Sequence, residues 1–162
     1  MKIGVVADTH SKKLPPQLIK DFKSVDLIIH AGDICDESGL KQLQVLAEVK
    51  GVCGNMDDQK LGAMFPERCI LTCEDCRIGI VHGQGPKGQV LKFVQEAFRK
   101  EKVDVVVFGH THTPCQETVG SVLYFNPGSP TDDIFAPYRS YGILEISGKD
   151  VRAKIIKVDH HG

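Results

Sequence analysis

The chain has 162 residues, 41% of them hydrophobic and 25% charged, with a formal net charge of -1. That is the size of one domain, and a domain of about 150 residues buries roughly 68–70% of its unfolded surface, so it folds without disulfide or metal staples. The balanced charge argues against nucleic-acid or membrane binding through bulk charge, and no apolar run approaches the roughly 20 residues of a membrane span.

Met1-Lys2 leads directly into a strand, with no signal-like apolar segment, and the protein reads as a cytoplasmic single domain over residues 1–162. The first strand, Lys2-Ile3-Gly4-Val5-Val6-Ala7, is a continuous apolar run that fits burial on both faces. It ends at Asp8-Thr9-His10. Pro15 and Pro16 open a short helix with Leu18, Ile19 and Phe22 on one face. Asp26 to Ala31 is a second buried strand, ending at Gly32-Asp33. Leu40, Leu43, Leu46 and Ala47 follow at helical spacing. Lys50 to Cys53 is a third strand, ending at Gly54-Asn55-Met56-Asp57-Asp58. This βαβαβ order predicts a parallel sheet.

The pattern then changes. Arg68 to Thr72 and Arg77 to Val81 are too close for a crossover helix and should pair antiparallel, the second ending at His82-Gly83. Val90, Phe93, Val94, Ala97 and Phe98 mark the apolar face of an amphipathic helix. Val103 to Phe108 is a strand that runs into Gly109-His110-Thr111-His112. The remainder reads as strands, roughly Cys115 to Val119, Val122 to Phe125, Ser140 to Ile146 and Val151 to Val158, broken by the turn residues Asn126-Pro127-Gly128-Ser129. Helices in the first two thirds and a strand-rich end predict two packed sheets with helices outside. The late edge strands leave self-association open.

There are six cysteines. Cys73-Glu74-Asp75-Cys76 lies between two strand-like runs and reads as a hairpin turn, because no second Cys pair at zinc-finger spacing completes a metal site.

The metal-capable residues collect at strand ends. Asp8 and His10 follow the first strand, Asp33 the second and Asn55 the third; His82 follows a later one, and His110 and His112 another. Each has a bland reading: Asp8 and Asp33 as helix caps, Asn55 as a turn residue, His82 as an edge residue. Together they do not, because ligands of open α/β sheets bind beyond the strands' C-terminal ends, where separate loops converge. Four of the seven histidines fall there. His30 lies inside a strand and reads as a core residue, and His160 and His161 as part of a frayed tail. Two Asp, one Asn and four His are too many for one tetrahedral zinc; they suit two metals sharing a carboxylate. Mixed O and N donors without thiolate fit manganese, iron, nickel or zinc rather than calcium.

In this order the residues resemble the calcineurin-like metallophosphoesterase superfamily. Its pattern is Asp-x-His, Gly-Asp, Gly-Asn, His-Gly and Gly-His-x-His, and here it stands as Asp8-Thr9-His10, Gly32-Asp33, Gly54-Asn55, His82-Gly83 and Gly109-His110-Thr111-His112. The small size and Asn126-Pro127-Gly128-Ser129 are similar to its compact bacterial and archaeal phosphodiesterase branch. The resemblance implies a four-layer αββα sandwich of two mixed β-sheets flanked by helices. It also implies two divalent transition metal ions, manganese foremost, with a phosphate ester as substrate. Metal one would take Asp8, His10, Asp33 and His112; metal two would take Asp33, Asn55, His82 and His110. Asp33 would bridge, and a hydroxide between the metals would attack phosphorus in line, with Asp33, Asn55 and His82 closest to the chemistry.

One position departs from the wider pattern. Many members carry His after the Asn, thought to assist the transition state or protonate the leaving group; here it is Met56, with Asp57 and Asp58 nearby as substitutes, second-sphere groups or caps. Two rival readings remain. Gly83-Gln84-Gly85-Pro86-Lys87-Gly88 matches the dinucleotide fingerprint, but Asp104 begins the following strand instead of ending it and Pro86 removes an amide donor. The small phosphoesterase-like subunit of the retromer coat keeps this fold mainly as a scaffold, yet its metal-bridging Gly-Asp position is degraded, whereas Asp33 is present here.

Overall fold

The computed structural model describes residues 1–160. Its two five-stranded sheets are both mixed. In the first, β1 (Lys2–Val6), β2 (Leu27–His30) and β3 (Val49–Gly51) run parallel, and β9 (Ser140–Ser147) and β10 (Asp150–Lys157) add antiparallel on the other side of β1. In the second, β5 (Cys76–Val81), β6 (Val105–Val107) and β8 (Val122–Asn126) run parallel, with β4 (Arg68–Cys73) and β7 (Cys115–Val119) antiparallel at the edges.

Period-two alternation assigns the layers. Ile3 and Val5 of β1, and Ala7 just beyond it, face Cys76, Ile78 and Ile80 and Val105 and Val107 in one core between the sheets. The alternate residue Val6 faces outward, where Leu18 and Phe22 of α1 (Pro16–Phe22) and Leu43 of α2 (Glu37–Gln44) cover it. On the far side Val106 packs with Val90 and Val94 of α4 (Lys87–Ala97). Strands buried on both faces must be apolar throughout, which is why these runs do not alternate in sequence. The result is the expected helix–sheet–sheet–helix sandwich.

Some elements differ from expectation. The third strand is Val49–Gly51, earlier than Lys50 to Cys53, because only these residues find a register beside Ile28–His30. A helix not expected from sequence, α3 (Gln59–Met64), follows Asp58, whose side chain accepts the Leu61 N–H at 2.9 Å. Cys73 and Cys76 face each other across a two-residue hairpin, as expected, and are free thiols. Phe93 lies off the buried stripe of α4 and is 36% exposed. His30 is fully buried, its Nδ1 accepting the Gly32 N–H and its Nε2 donating to Thr9 Oγ1 at 2.9 Å. Burial, with His82 beside it, pushes it down to about 3, so it is a neutral strut between two loops. His160 is exposed, and His161 lies outside the described residues. No described helix is long and apolar enough to cross a membrane.

Candidate metal centre

The C-terminal ends of β1, β2, β3, β5 and β6 meet at one edge, stitched by backbone bonds. The Asp8 N–H donates to Gly32 O, His10 N–H to Asp33 O and Gly109 N–H to His82 O. The loops are held in unusual conformations. Of the eight non-glycine residues with positive φ among the described residues, five are Asp8, His10, Asp33, His110 and His112, and two more, Ser11 and Cys35, lie within two positions of them. Such backbone is costly for L-residues and persists where the surrounding structure over-determines it, typically at functional sites.

Two glycines explain their place in the motifs. A Cβ on Gly54 would lie 2.2 Å from Asp33 Oδ1, and one on Gly32, whose φ is +95°, would lie 2.6 Å from His82 Nδ1. Bare backbone at both points lets these side chains approach.

Asp8, His10 and His112 form one potential metal-holding group, and Asp8, Asp33 and His82 another. His10 Nε2 and His112 Nε2 are 3.3 Å apart, aimed at a common point. Asp33 Oδ2 lies 3.9 Å from His10 Nε2 and 3.2 Å from His82 Nε2, so one oxygen stands between the two groups. His82 donates Nδ1–H to Ala31 O at 2.7 Å. Its Nε2 is thereby turned towards three oxygens, Asn55 Oδ1 at 3.1 Å, Asp33 Oδ2 at 3.2 Å and Asp8 Oδ1 at 3.8 Å.

His110 is set apart from both groups. Its ring stacks edge-on to His82 at 5.3 Å, its N–H donates to Asp8 Oδ2 at 3.0 Å and its Nε2 to Gly85 O at 3.0 Å. That hydrogen bond fixes the proton on Nε2 and leaves Nδ1 with a free lone pair. The structure thus brings six of the seven expected residues into direct oxygen–nitrogen proximity and places the seventh in ring contact.

The residues fit a cation. Asp8 Oδ1 is buried and has no hydrogen-bond partner among the described residues, though His112 Nε2 is 3.5 Å away. A buried carboxylate oxygen left so is expensive unless a cation meets it. Protons answer that charge in the metal-free state. The Asp8 carboxylate, joined by Asp132, outweighs burial and raises His112 to about 9. Burial opposes protonation of His82, but Asp33 and Asp8 prevail and raise it too. Burial would likewise raise Asp33, and contact with His82 and the Met56 amide lowers it. Cys35 Sγ is 3.3 Å from His10 Nδ1; burial, then Asp33 and Asp57, push this thiol up to about 11, so it stands behind His10 as a neutral group.

Several supporting residues escape the sequence reading. Asp132 Oδ2 is 2.5 Å from His112 Nδ1, and Ser129 Oγ donates to Asp8 O at 2.8 Å. Asn126 Nδ2 bonds Gly109 O and Thr111 Oγ1. In the sequence Asn126 and Ser129 stand out only within a turn that resembles the compact branch, and Asp132 not at all. Asp57 and Asp58 resolve as structural. Asp57 accepts the N–H groups of Asp33, Cys35 and Gly54, and Asp58 caps α3. Met56 gives only its N–H, to Asp33 Oδ1 at 2.8 Å, and its side chain is 56% exposed. The dinucleotide fingerprint is spoken for as well: Gly85 O holds His110, and Asp104 accepts the Arg77 N–H at the opening of β6.

Residues 1–149 match the calcineurin-like phosphoesterase superfamily domain. The chain belongs to that superfamily. Membership makes it a phosphoesterase that works with divalent metal ions, and the oxygen- and nitrogen-rich edge is where this fold would hold them. A probable metallophosphoesterase of Methanocaldococcus jannaschii is 39% identical over 98% of this chain and 82% of its own. Among solved structures, an archaeal phosphodiesterase superposes with a TM-score of 0.76 at 26% identity, over 96% of this chain and all of that one. Vacuolar protein sorting 29 of Cryptosporidium parvum reaches a TM-score of 0.82 at 20% identity, over 99% and 93% of the two chains. The last likeness is one of fold.

Proposed function

We propose that this phosphoesterase is a phosphodiesterase with a dinuclear centre, in which Asp8, His10, Asp33 and His112 hold one cation and Asp33, Asn55, His82 and His110 the other. Manganese is the preferred metal, with nickel, iron or zinc as substitutes, since the donors are all oxygen and nitrogen. One observation carries the reading: Asp33 Oδ2 stands between His10 Nε2 and His82 Nε2, beside the orphaned oxygen of Asp8. When bound, two such cations supply Lewis-acid polarisation of the phosphoryl oxygens and a deprotonated water as nucleophile at neutral pH.

The chain's own groups do the rest. Asp132, Ala31 O and Gly85 O orient three imidazoles and fix their protons. Asn55 turns Oδ1 towards His82, which leaves its amide N–H groups for a phosphoryl oxygen. Met56 offers no proton to the leaving group, so esters of acidic alcohols or phenols are the favoured substrates.

The test is turnover of bis-p-nitrophenyl phosphate and of p-nitrophenyl phosphate, after chelation and after return of Mn, Ni, Zn or Mg. The expected result is loss with chelator, best recovery with Mn and faster diester than monoester cleavage. Asp33→Ala should abolish turnover and lose one metal per chain; undiminished hydrolysis by that variant overturns the mechanism. Metal binding without hydrolysis of either ester would favour a scaffold role instead.

A further inference from the structure

A groove of about 590 Å³ opens beside the metal centre, within the roughly 300–1,000 Å³ typical of small-molecule sites. Its inner end is formed by Asn55, His82 and His110, so an ester held there has a substituent pointing along it. Phe93, Ala97 and Arg68 line it as well. Phe93 and Ala97 are one helical turn apart on α4, while Val90 and Val94 of the same helix turn into the core. Phe93 is therefore an aromatic side chain that the fold leaves on the groove wall, 36% exposed.

The charges of the groove narrow its ligand. Arg68 is already engaged within the protein. Its Nη1 donates to Ala97 O at 2.5 Å, its Nη2 pairs with Glu101 at 2.8 Å, and its guanidinium lies over the Phe98 ring at 4.9 Å. Glu67 also lines the groove, and its carboxylate is in no ion pair among the described residues. Away from the imidazoles the groove thus offers planar and apolar surface with a net negative charge.

We propose that this groove binds one uncharged, flat aromatic substituent of the phosphodiester against Phe93, and disfavours a substituent bearing a further phosphate. The inference rests on the phosphodiesterase reading and adds the class of substrate. Aryl and nucleoside-like esters stack on the ring; small alkyl esters leave the groove unfilled; polyphosphorylated groups meet Glu67 without a counter-charge.

The test uses the full chain loaded with manganese, turning over bis-p-nitrophenyl phosphate. Phenylphosphonate, methylphosphonate and 1,4-phenylenediphosphonate serve as competitive inhibitors. Phenylphosphonate should inhibit about tenfold more tightly than methylphosphonate, the upper range for an aromatic contact, and the second phosphonate should cancel that gain. Phe93→Ala should shrink the phenyl-to-methyl ratio to about twofold and Phe93→Tyr should preserve it, with melting temperatures checking that both variants fold. Equal inhibition by the phenyl and methyl compounds, a ratio indifferent to Phe93→Ala, or tighter binding of the diphosphonate overturns the groove assignment while the hydrolysis itself stands. Absence of any metal-dependent turnover overturns the phosphodiesterase reading and this inference together.

Discussion

The carboxylate of Asp132 lies 2.5 Å from Nδ1 of His112, across twenty residues of chain. The same carboxylate accepts the N–H groups of Ile134, Phe135 and Ala136, so the loop is wound around it. Burial alone would raise Asp132, but contact with His112 and the Ile134 and Phe135 amides holds it at about 2. It is thus an anion at any working pH, and it fixes the His112 ring with Nε2 facing Asp8. Asp132→Asn is expected to weaken the first metal by about 10–100-fold, the usual effect of losing a carboxylate behind a ligating histidine. Titrating metal back into the chelated variant and following turnover measures this; an unchanged half-saturation concentration would show that Asp132 only shapes its loop.

His112 also predicts how protons and metal compete. Its value is raised from 6.5 to about 9 without metal. In the chelated protein its contribution to stability is fully present below about 6.5 and is lost as pH rises through about 9. Metal must displace that proton. Between these pH values apparent metal affinity should therefore climb with pH, with close to one proton released from His112 as metal binds. Calorimetry at pH 7.5 in buffers of different ionisation enthalpy counts the protons. Zero released would contradict ligation through this imidazole.

Much of this centre is legible in the sequence because metal-capable residues are chemically conspicuous. Asp, Asn and His are poor strand residues, and at the ends of apolar runs such as Lys2 to Ala7 or Val103 to Phe108 they announce a site. The supporting shell is not conspicuous. Ser129 reaches Asp8 O across 121 residues, a contact set by the pairing of two sheets and by nothing local. Asp132 looks like any loop acid beside Asp133. Phe93 obeys the helical apolar pattern yet faces the groove, since periodicity gives a stripe and not its partner. The third strand slipped from its expected place because Val52 and Cys53 continue the apolar run, and only pairing with β2 decides where the ladder stops.

Gly54 tests the tightness of the centre. A Cβ there would meet Asp33 Oδ1 at 2.2 Å and the Asp33 backbone nitrogen at 2.6 Å. Neither atom can retreat without moving the carboxylate between His10 and His82. Gly54→Ala should lower kcat/KM on the order of 10²-fold, the scale of a displacement of about 1 Å at a reacting centre. Undiminished turnover with both metals retained would show that the loop relaxes around the methyl group.

Asp57 should prove a scaffold and not an acid. Both its oxygens are taken, Oδ2 by Asp33 and Gly54 and Oδ1 by Cys35 at 2.7 Å. Asp57→Ala leaves three part-buried N–H groups without their acceptor and is expected to cost about 2–4 kcal/mol, given about 1–3 kcal/mol for each unmet group and partial rescue by water. Denaturant unfolding of the chelated protein measures it. Loss of activity with full stability would instead make Asp57 the missing proton donor.

Met56→His asks whether that donor can be restored. The Met56 side chain is more than half exposed, so an imidazole fits without repacking, and the N–H bond to Asp33 Oδ1 is kept whatever the side chain. In the present chain nothing at this position can protonate a departing oxygen, and rates should fall steeply as the leaving group becomes more basic. The variant should gain most on the poorest leaving groups, by about tenfold or more, the lower side of the 10²–10⁴-fold range for general acid assistance because the imidazole is not preorganised. The measurement is kcat/KM against leaving-group pKa for a series of aryl phosphodiesters in both proteins. A flatter slope for Met56→His identifies proton donation, whereas parallel lines would place the leaving group beyond reach of this side chain and return the substitute acid to the solvent.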